Sequence, residues 1–206
     1  MSSTENSENN REDIIPSDEA FLLERVRDEA ITQLKTVGGK IAADIGAGTG
    51  FMSEGLLDAE LRVIAVDSSP EMVEIMKEKF ADIKEFKAVL TDPSTIKLDD
   101  DSVDYAFANM YLNKTEDPQA ALKEIIRILK PGGKAAITDI ILYQNEEAQK
   151  YYHHKWPGFS FPDLYDWFIN AEFKNISIEK LSQHCSYKTE SGEEIKIDIF
   201  IACGEK

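Results

Sequence analysis

The chain has 206 residues, of which 42% are hydrophobic, and a formal net charge of −16. This length suffices for one sizeable core and predicts a single domain. The acidic excess repels a phosphate backbone, and the basic residues are scattered rather than gathered into a patch, so binding to nucleic acid or to an anionic membrane is disfavoured. A small polar molecule or a protein stays open as a partner, and the composition does not indicate an oligomeric state.

The N-terminal residues 1–13 are predicted to be a disordered tail, followed by one domain over residues 14–206. Residues 1–10 are rich in Ser, Asn and Glu and hold no basic residue, unlike a secretory signal or an organelle transit peptide. No apolar run approaches the roughly 18 residues that a membrane helix needs. The cysteines Cys185 and Cys203 have no metal-ligand spacing, so we expect no metal site and a reducing, cytoplasmic setting.

Helical and strand periodicities alternate through the first two thirds of the chain. A helix is expected from Ser17 to Val37, ended by Gly38-Gly39. Strand patterns, which are either apolar runs or apolar–polar alternation, then take turns with helical patterns along the chain. The predicted strands are Ile41–Ala43, Leu61–Asp67, Glu85–Leu90, Ser102–Asn109 and Lys134–Asp139. The predicted helices between them begin at Phe51, Pro70 and Pro118, and Pro131-Gly132-Gly133 is expected to break the chain before the fifth strand.

The last third of the chain differs, because no helix separates its two strands. Helices are predicted at Asn145–Tyr152 and Phe161–Ala171, and strands near Asn175–Glu179 and Ile195–Ala202. The stretch between those strands is polar and contains Gly192 in a turn-like context. The two strands should therefore pair antiparallel.

The alternation of strands and helices indicates the fold class. Strands separated by helices of about ten residues imply βαβ units, a parallel sheet and right-handed crossovers, so the predicted class is α/β. Ligands of such sheets bind beyond the carboxyl ends of the strands. Polar residues follow successive strands at that edge: Asp67 ends the second strand, Asp92 follows the third, and Asn109 and Tyr111 follow the fourth.

A glycine-rich stretch, Asp44-Ile45-Gly46-Ala47-Gly48-Thr49-Gly50, joins the first strand to a helix and is a candidate nucleotide loop. A nicotinamide dehydrogenase would carry Gly-x-Gly-x-x-Gly, but here Phe51 follows Gly50, and the Gly-Lys-Ser or Gly-Lys-Thr of a P-loop is absent. These departures weaken a phosphate-binding role. Asp67 lies 17 residues after Gly50, where a carboxylate can accept hydrogen bonds from both hydroxyls of a ribose; the alternative is a solvent-exposed strand end.

Four stretches of the chain together resemble the class I S-adenosylmethionine-dependent methyltransferases, particularly the small-molecule methyltransferases of that group. They are Asp44–Gly50, Val66–Met72, Asp100–Asp104 and Glu124–Gly133, in the order and at the spacing of the family over about residues 37–140. The resemblance implies a Rossmann-like, doubly wound sheet of seven mostly parallel strands with an antiparallel last strand. It also implies S-adenosyl-L-methionine as the cofactor.

The resemblance also implies a set of cofactor-binding residues. They are Asp44, Gly46, Ala47, Gly48, Gly50, Asp67, Ser68, Met72, Asp92 and Asn109. The loop would lie along the methionine part of the cofactor, with Asp44 beneath it orienting the loop and the amino group. Asn109 would lie near the sulfonium.

The adenosine part would be held by residues after the second and third strands. By the resemblance, Asp67 would bind the ribose hydroxyls, with Ser68 beside it. Asp92 would accept a hydrogen bond from the adenine amino group. Met72 would cover one adenine face or, as an alternative, pack in the core.

The catalytic base is not implied by the resemblance. Many relatives carry a histidine pair after the fourth strand, where this chain has Asn113-Lys114. The remaining candidates for catalysis are His153, His154 and Tyr111.

The two histidines lie in residues 141–168, which are predicted to form a lid or a substrate wall. Eight of the chain's 19 aromatic residues fall between Tyr151 and Phe168, and aromatic faces can bound an apolar or planar acceptor. The alternative is a helix pair that caps the sheet and carries surface histidines.

The predicted function is transfer of a methyl group from S-adenosylmethionine to a small-molecule acceptor by direct displacement. A protein or RNA methyltransferase is the second interpretation, although the acidic surface disfavours RNA. A non-catalytic S-adenosylmethionine-binding or scaffold protein is the third, and a Rossmann-like binder of another nucleotide is the fourth.

Overall fold

The computed structural model describes residues 17–92, 95–152 and 155–206. Its strands, numbered in chain order, are β1 Ile41–Ile45, β2 Arg62–Asp67, β3 Phe86–Leu90, β4 Val103–Asn109, β5 Leu129–Ile140, β6 Lys174–Lys188 and β7 Glu194–Glu205. Its helices are α1 Ser17–Gln33, α2 Phe51–Asp58, α3 Pro70–Lys79, α4 Pro118–Ile128, α5 Glu146–Tyr151 and α6 Phe161–Asn170, with a 3₁₀ turn at Leu112–Lys114.

The seven strands form one sheet in the order β3-β2-β1-β4-β5-β7-β6. The pairs among β1 to β5 are parallel, and β7 is antiparallel to both β5 and β6. The predicted α/β class, the mostly parallel sheet and the antiparallel last strand are therefore confirmed. Strand order reverses between β1 and β4, which is where such sheets open a crevice for ligands.

The central strands are buried on both faces of the sheet. Successive side chains of β4 alternate between two hydrophobic clusters: Ala106 and Ala108 pack on the side of α4 and α6, whereas Tyr105 and Phe107 pack on the side of α1 and α2. This double coverage explains why β4 lacks an apolar–polar alternation in the sequence. It also holds the carboxyl end of the sheet rigidly.

Helix α4 begins and ends where the sequence indicates. The Asp117 side chain accepts hydrogen bonds from the backbone N–H groups of Gln119 and Ala120, both at 3.0 Å, and Pro118 occupies the first turn. The buried residues of the helix recur at helical spacing and face the sheet: Pro118, Ala121, Leu122, Ile125 and Ile128.

Strands β5 and β6 exceed their predicted lengths the most. Helix α4 ends at Ile128 and β5 begins at Leu129, so Pro131-Gly132-Gly133 lies within β5 rather than before it. The Gly132 N–H donates to the Lys206 carbonyl at 3.1 Å, and the Lys206 N–H donates to the Gly133 carbonyl at 3.0 Å. Proline and glycine residues, which end a helix, are thus compatible with an extended strand here. Strand β6 runs to Lys188 rather than to Glu179, because an edge strand that is only partly buried shows little hydrophobic periodicity.

Within the described ranges, no helix is long and apolar enough to cross a bilayer, and no group of three or more potential metal-binding side chains is found.

Candidate active site

The loop between β1 and α2 uses its backbone donors within the protein. The amides concerned belong to Gly46, Ala47, Gly48 and Gly50. The Gly46 and Ala47 amides donate to the Val66 carbonyl at 2.9 and 3.1 Å. The Gly48 amide donates to the Asp67 carboxylate at 2.9 Å, and the Gly50 amide donates to the Ala47 carbonyl at 2.8 Å. These four amides therefore do not converge on an anion, as they would in a phosphate cradle.

Two glycines shape the loop in different ways. Gly46 has a φ of +69°, in the left-handed region, and a Cβ built on it would lie 2.4 Å from Cδ2 of Tyr111. Gly48 has a φ of +54°, but a Cβ built there meets nothing within 4 Å. The loop is therefore packed on the side of Tyr111 and open in front of Gly48.

We expect Gly46→Ala to lower the free energy of unfolding by about 3 kcal/mol, because it combines a strained φ with displacement of the Tyr111 ring. Urea denaturation measures this change. The matched control is Gly132→Ala, since Gly132 has a φ of +76° and open space around the new Cβ. This control should lose only about 1 kcal/mol. Equal losses in the two variants would show that the Tyr111 ring does not constrain the loop.

Asp44 lies beneath the loop and is 1% exposed. Its Oδ2 accepts a hydrogen bond from the Ser53 hydroxyl on α2 at 2.6 Å. Burial raises the pKa of Asp44 to about 7, against hydrogen bonds from Ser53 that favour the charged form. Asp44 thus ties the loop to α2, and its charge varies near neutral pH.

Asp67 ends β2 and contacts the loop directly. Its two carboxylate oxygens accept hydrogen bonds from the backbone N–H groups of Gly48 and Ser69, each at 2.9 Å. A carboxylate has about four acceptor positions, so about two stay available for a ligand. The side chain is half-buried and Ser68 is exposed beside it, so Asp67 can position the loop and bind a diol at once.

The residues predicted to surround adenine lie at the same edge. Asp92 is exposed and follows β3, whose last residue, Leu90, is paired with Asp67. Met72 is half-exposed on α3, whereas Val73 and Met76 of the same helix are buried. This exposure favours a ligand-facing position for Met72 over a place in the core.

Asn109 and Tyr111 follow β4 at the switch point. The Asn109 Oδ1 accepts a hydrogen bond from the Thr138 hydroxyl of β5 at 2.6 Å, which leaves the amide N–H₂ to face other partners. Met110 has a φ of 50°, in the left-handed region, so the chain turns sharply between the two residues. The turn brings the ring of Tyr111 against Gly46.

Tyr111 lies among the predicted cofactor-binding residues. Burial raises the pKa of its hydroxyl to about 12, with further contributions from the charges of Asp92 and Asp67. The hydroxyl is 3.3 Å from Oγ1 of Thr115, to which it donates. At neutral pH this phenol is a hydrogen-bond donor rather than a proton acceptor, so the geometry favours positioning over general-base catalysis.

Residues 141–168 fold back on themselves beyond the end of β5. Ile141 pairs with Phe159, and the Tyr143 N–H donates to the Pro157 carbonyl at 2.9 Å. His153 and His154, the predicted catalytic bases, lie outside the residues that the structure describes. The flanking Lys155 donates its N–H to the Asn113 carbonyl at 2.9 Å.

The aromatic residues of this segment divide between two environments. Phe159 and Phe168 are buried in the main core and cannot face an acceptor. Tyr151 is 63% exposed, and its ring lies 5.0 Å from those of both Tyr152 and Tyr187 of β6. Only part of the predicted aromatic wall is therefore available at the surface.

Two polar features near the site are not predicted from the sequence. One is Ser53, and the other is a buried pair formed by Asn113 and Asp139 at the ends of β4 and β5. Asp139 ends an apolar strand just as Asp67 does, and this similarity could have marked it. Asn113 carries no such signal, because its burial depends on the turn after β4.

The geometry of this edge fits S-adenosylmethionine. The open space before Gly48 can take the methionine part, and the free acceptor capacity of Asp67 suits the ribose hydroxyls. The internally bonded loop amides suit a ligand with no phosphate.

Comparison with known proteins agrees with this geometry. Residues 43–137 match the family model described as "Methyltransferase domain". An uncharacterised methyltransferase of Mycobacterium tuberculosis is 35% identical over 109 residues, 53% of this chain and 43% of that protein. A demethylmenaquinone methyltransferase of Clavibacter sepedonicus is 33% identical over 103 residues, 50% of this chain and 42% of that protein. The chain thus matches less than half the length of either relative.

A solved structure has a similar fold over most of this chain. Phosphoethanolamine N-methyltransferase 2 of Haemonchus contortus, in complex with S-adenosyl-L-methionine, superposes with a TM-score of 0.73 at 16% identity, over 88% of this chain and 52% of that chain. This likeness shows the fold. The family match over residues 43–137 and this fold agree with the resemblance to the class I S-adenosylmethionine-dependent methyltransferases. S-adenosyl-L-methionine is the cofactor bound in the Haemonchus structure.

Proposed function

We propose that this chain transfers a methyl group from S-adenosylmethionine to a small-molecule acceptor. The observation that carries the proposal is the arrangement of Asp67, which supports the glycine loop through Gly48 and keeps acceptor capacity for a ribose. The Clavibacter relative is named a demethylmenaquinone methyltransferase, which supports a small-molecule acceptor. The net charge of −16 counts against RNA.

The bound cofactor supplies an electrophilic methyl group on sulfur, and the protein contributes alignment and exclusion of water. In our proposal, Asp44 and the loop Gly46–Gly50 hold the methionine part, and Asn109 lies at the strand end nearest the sulfonium. The single domain over residues 14–206 would then place the acceptor beyond β4 and β5, under residues 141–168.

The adenosine part is assigned to the neighbouring strands. We place the ribose on Asp67 and Ser68, and adenine between Asp92 and the half-exposed Met72. For an acceptor that loses a proton, His153 or His154 would receive it. Tyr111 would act as a wall of the cofactor site, since its ring packs on Gly46.

Binding and turnover test this function separately. Calorimetry with S-adenosylhomocysteine should show saturable binding, and NADH should show none. Labelled S-adenosylmethionine should then transfer its methyl group to a fraction of a small-metabolite extract rather than to a protein or RNA pool. Binding of NADH in place of S-adenosylhomocysteine would contradict the proposal.

A second candidate is a protein that binds S-adenosylmethionine without catalysis. It is favoured by Asn113-Lys114, which stands where many relatives carry a histidine pair, and by the burial of the Asn113 side chain against Asp139. This candidate predicts binding of S-adenosylhomocysteine with no methyl transfer to any of the three pools.

A further inference from the structure

A buried polar pair joins the carboxyl ends of β4 and β5. Asn113 and Asp139 are both 0% exposed. The Asn113 Nδ2 donates to Oδ1 of Asp139 at 2.6 Å, and the Asn113 backbone N–H donates to Oδ2 at 3.0 Å. The Ile140 N–H also donates to Oδ1, at 2.8 Å. The Asp139 carboxylate therefore anchors the 3₁₀ turn Leu112–Lys114 to the end of β5.

The same turn holds the segment that follows α5. The Asn113 carbonyl accepts hydrogen bonds from the backbone N–H groups of Lys155 at 2.9 Å and Trp156 at 3.2 Å. The indole Nε1 of Trp156 donates to the Thr115 carbonyl at 3.0 Å. A continuous chain of hydrogen bonds thus runs from β5 through Asp139 and Asn113 to residues 155–156.

This pair is poorly explained as a stabilising feature alone. Burial raises the pKa of Asp139 to about 6, so at neutral pH the fold holds a buried charge. The Asn113 Oδ1 is also buried and has no hydrogen-bond partner among the residues that the structure describes. A well-packed apolar pair would avoid both costs. An apolar pair would not supply the hydrogen bonds that hold the turn and residues 155–156 in a fixed orientation.

The position of the pair separates it from the cofactor. In the sheet order, Asp67 and Asp92 lie at β2 and β3, on one side of the glycine loop, whereas Asn113 and Asp139 lie at β4 and β5, on the other. Of the residues assigned to the cofactor, the β4–β5 side carries Asn109 and Tyr111, and both follow β4. It is therefore the side left for an acceptor.

We infer that Asn113 and Asp139 are positioning residues for methyl transfer: together they hold the turn after β4 and residues 155–156 in place and so fix the acceptor side of the site. This inference rests on the proposed function. It predicts that the pair affects use of the acceptor and spares the cofactor.

The test uses single variants and an exchange of the two side chains in the full chain. Asp139→Asn and Asn113→Asp should each lower kcat/KM for the acceptor found in the metabolite screen by at least about tenfold, with S-adenosylhomocysteine affinity within about twofold of wild type. The double variant Asn113→Asp/Asp139→Asn puts an amide N–H₂ where the Asp139 carboxylate accepts from the backbone N–H groups of Asn113 and Ile140, so kcat/KM should stay low.

Hydrogen exchange gives a readout that needs no acceptor. The amides of Lys155 and Trp156 should exchange faster in both single variants and in the exchanged pair. The control is Glu116→Ala, which removes only the exposed ion pair between Glu116 and the Lys155 side chain. It should leave exchange at these amides and kcat/KM unchanged.

The outcomes separate this inference from the proposed function. Unchanged exchange and kcat/KM in the single variants, or a loss of S-adenosylhomocysteine affinity equal to the loss of kcat/KM, would overturn the positioning role. Recovery of wild-type kcat/KM and exchange in the exchanged pair would also overturn it, because the backbone attachment at Asp139 would then be unnecessary. If wild type binds no S-adenosylhomocysteine, the proposed function fails, and the inference fails with it whatever the exchange data show.

Discussion

Replacing Asp67 by alanine is expected to weaken S-adenosylhomocysteine binding by about a hundredfold or more. The side chain is assigned two ribose hydroxyls, and two hydrogen bonds to a charged group together contribute about 3 kcal/mol or more. The variant also removes the acceptor of the Gly48 and Ser69 amides, which lie 2.9 Å from the carboxylate oxygens. Calorimetry on the purified variant measures the loss.

The control for this prediction is Asp67→Asn, which keeps one carbonyl oxygen but brings N–H groups toward amides that already donate. We expect it to bind more weakly than wild type and more tightly than the alanine variant. Comparing thermal stability without ligand separates loosening of the loop from loss of ribose contacts. Wild-type affinity in Asp67→Ala would contradict the assignment of Asp67 to the cofactor.

The second large effect is on the pH dependence of stability. Burial raises the pKa of Asp44 from an ordinary value of 3.8 to about 7, and that of Asp139 to about 6. Between pH 4 and these values the folded chain binds more protons than the unfolded chain. Stability therefore falls as pH rises over this range, and the loss is complete above about pH 7. For Asp44 alone this corresponds to about 4 kcal/mol.

Urea denaturation at pH 5 and at pH 8 should show the protein to be more stable at the lower pH. Below about pH 4 stability should fall again, because the hydrogen bond from Arg127 lowers the pKa of Glu124 and that interaction is lost on protonation. Asp44→Asn keeps a side-chain partner for Ser53 and removes the titration of residue 44, so it should reduce the slope between pH 5 and pH 8 to the part that Asp139 contributes. A rise in wild-type stability over that interval would show that Asp44 is ionised in the fold without cost.

The sequence predicts the strands well where both faces of the sheet are buried. Strands β1, β2 and β4 carry mainly apolar runs because both of their faces are covered, and α4 has a clear cap at Asp117. The predicted strand is shorter than the observed strand at β6, where one edge is open and the hydrophobic periodicity is weak. The prediction placed a break within β5, because proline and glycine end helices without preventing an extended strand.

In the candidate site, too, some residues are predictable from the sequence and some contacts are not. Glycines and strand-end acids are visible in the sequence because each follows a recognisable element. The contact between Tyr111 and Gly46 and the pair of Asn113 with Asp139 depend on how the turn after β4 folds across neighbouring strands. Such contacts join residues distant in the chain, and local periodicity contains no information about them.

The position of β7 has a consequence for how the chain reaches this fold. Strand β6 joins the sheet only through β7, so one edge of β5 stays unpaired until β7 docks between them. That edge is apolar at Ala136 and Ile137, and an exposed strand edge of this kind pairs readily with other chains. Because β7 docks onto a strand far away in sequence, its pairing is slow relative to local structure. We therefore expect the docking of β7 to compete with aggregation through this edge.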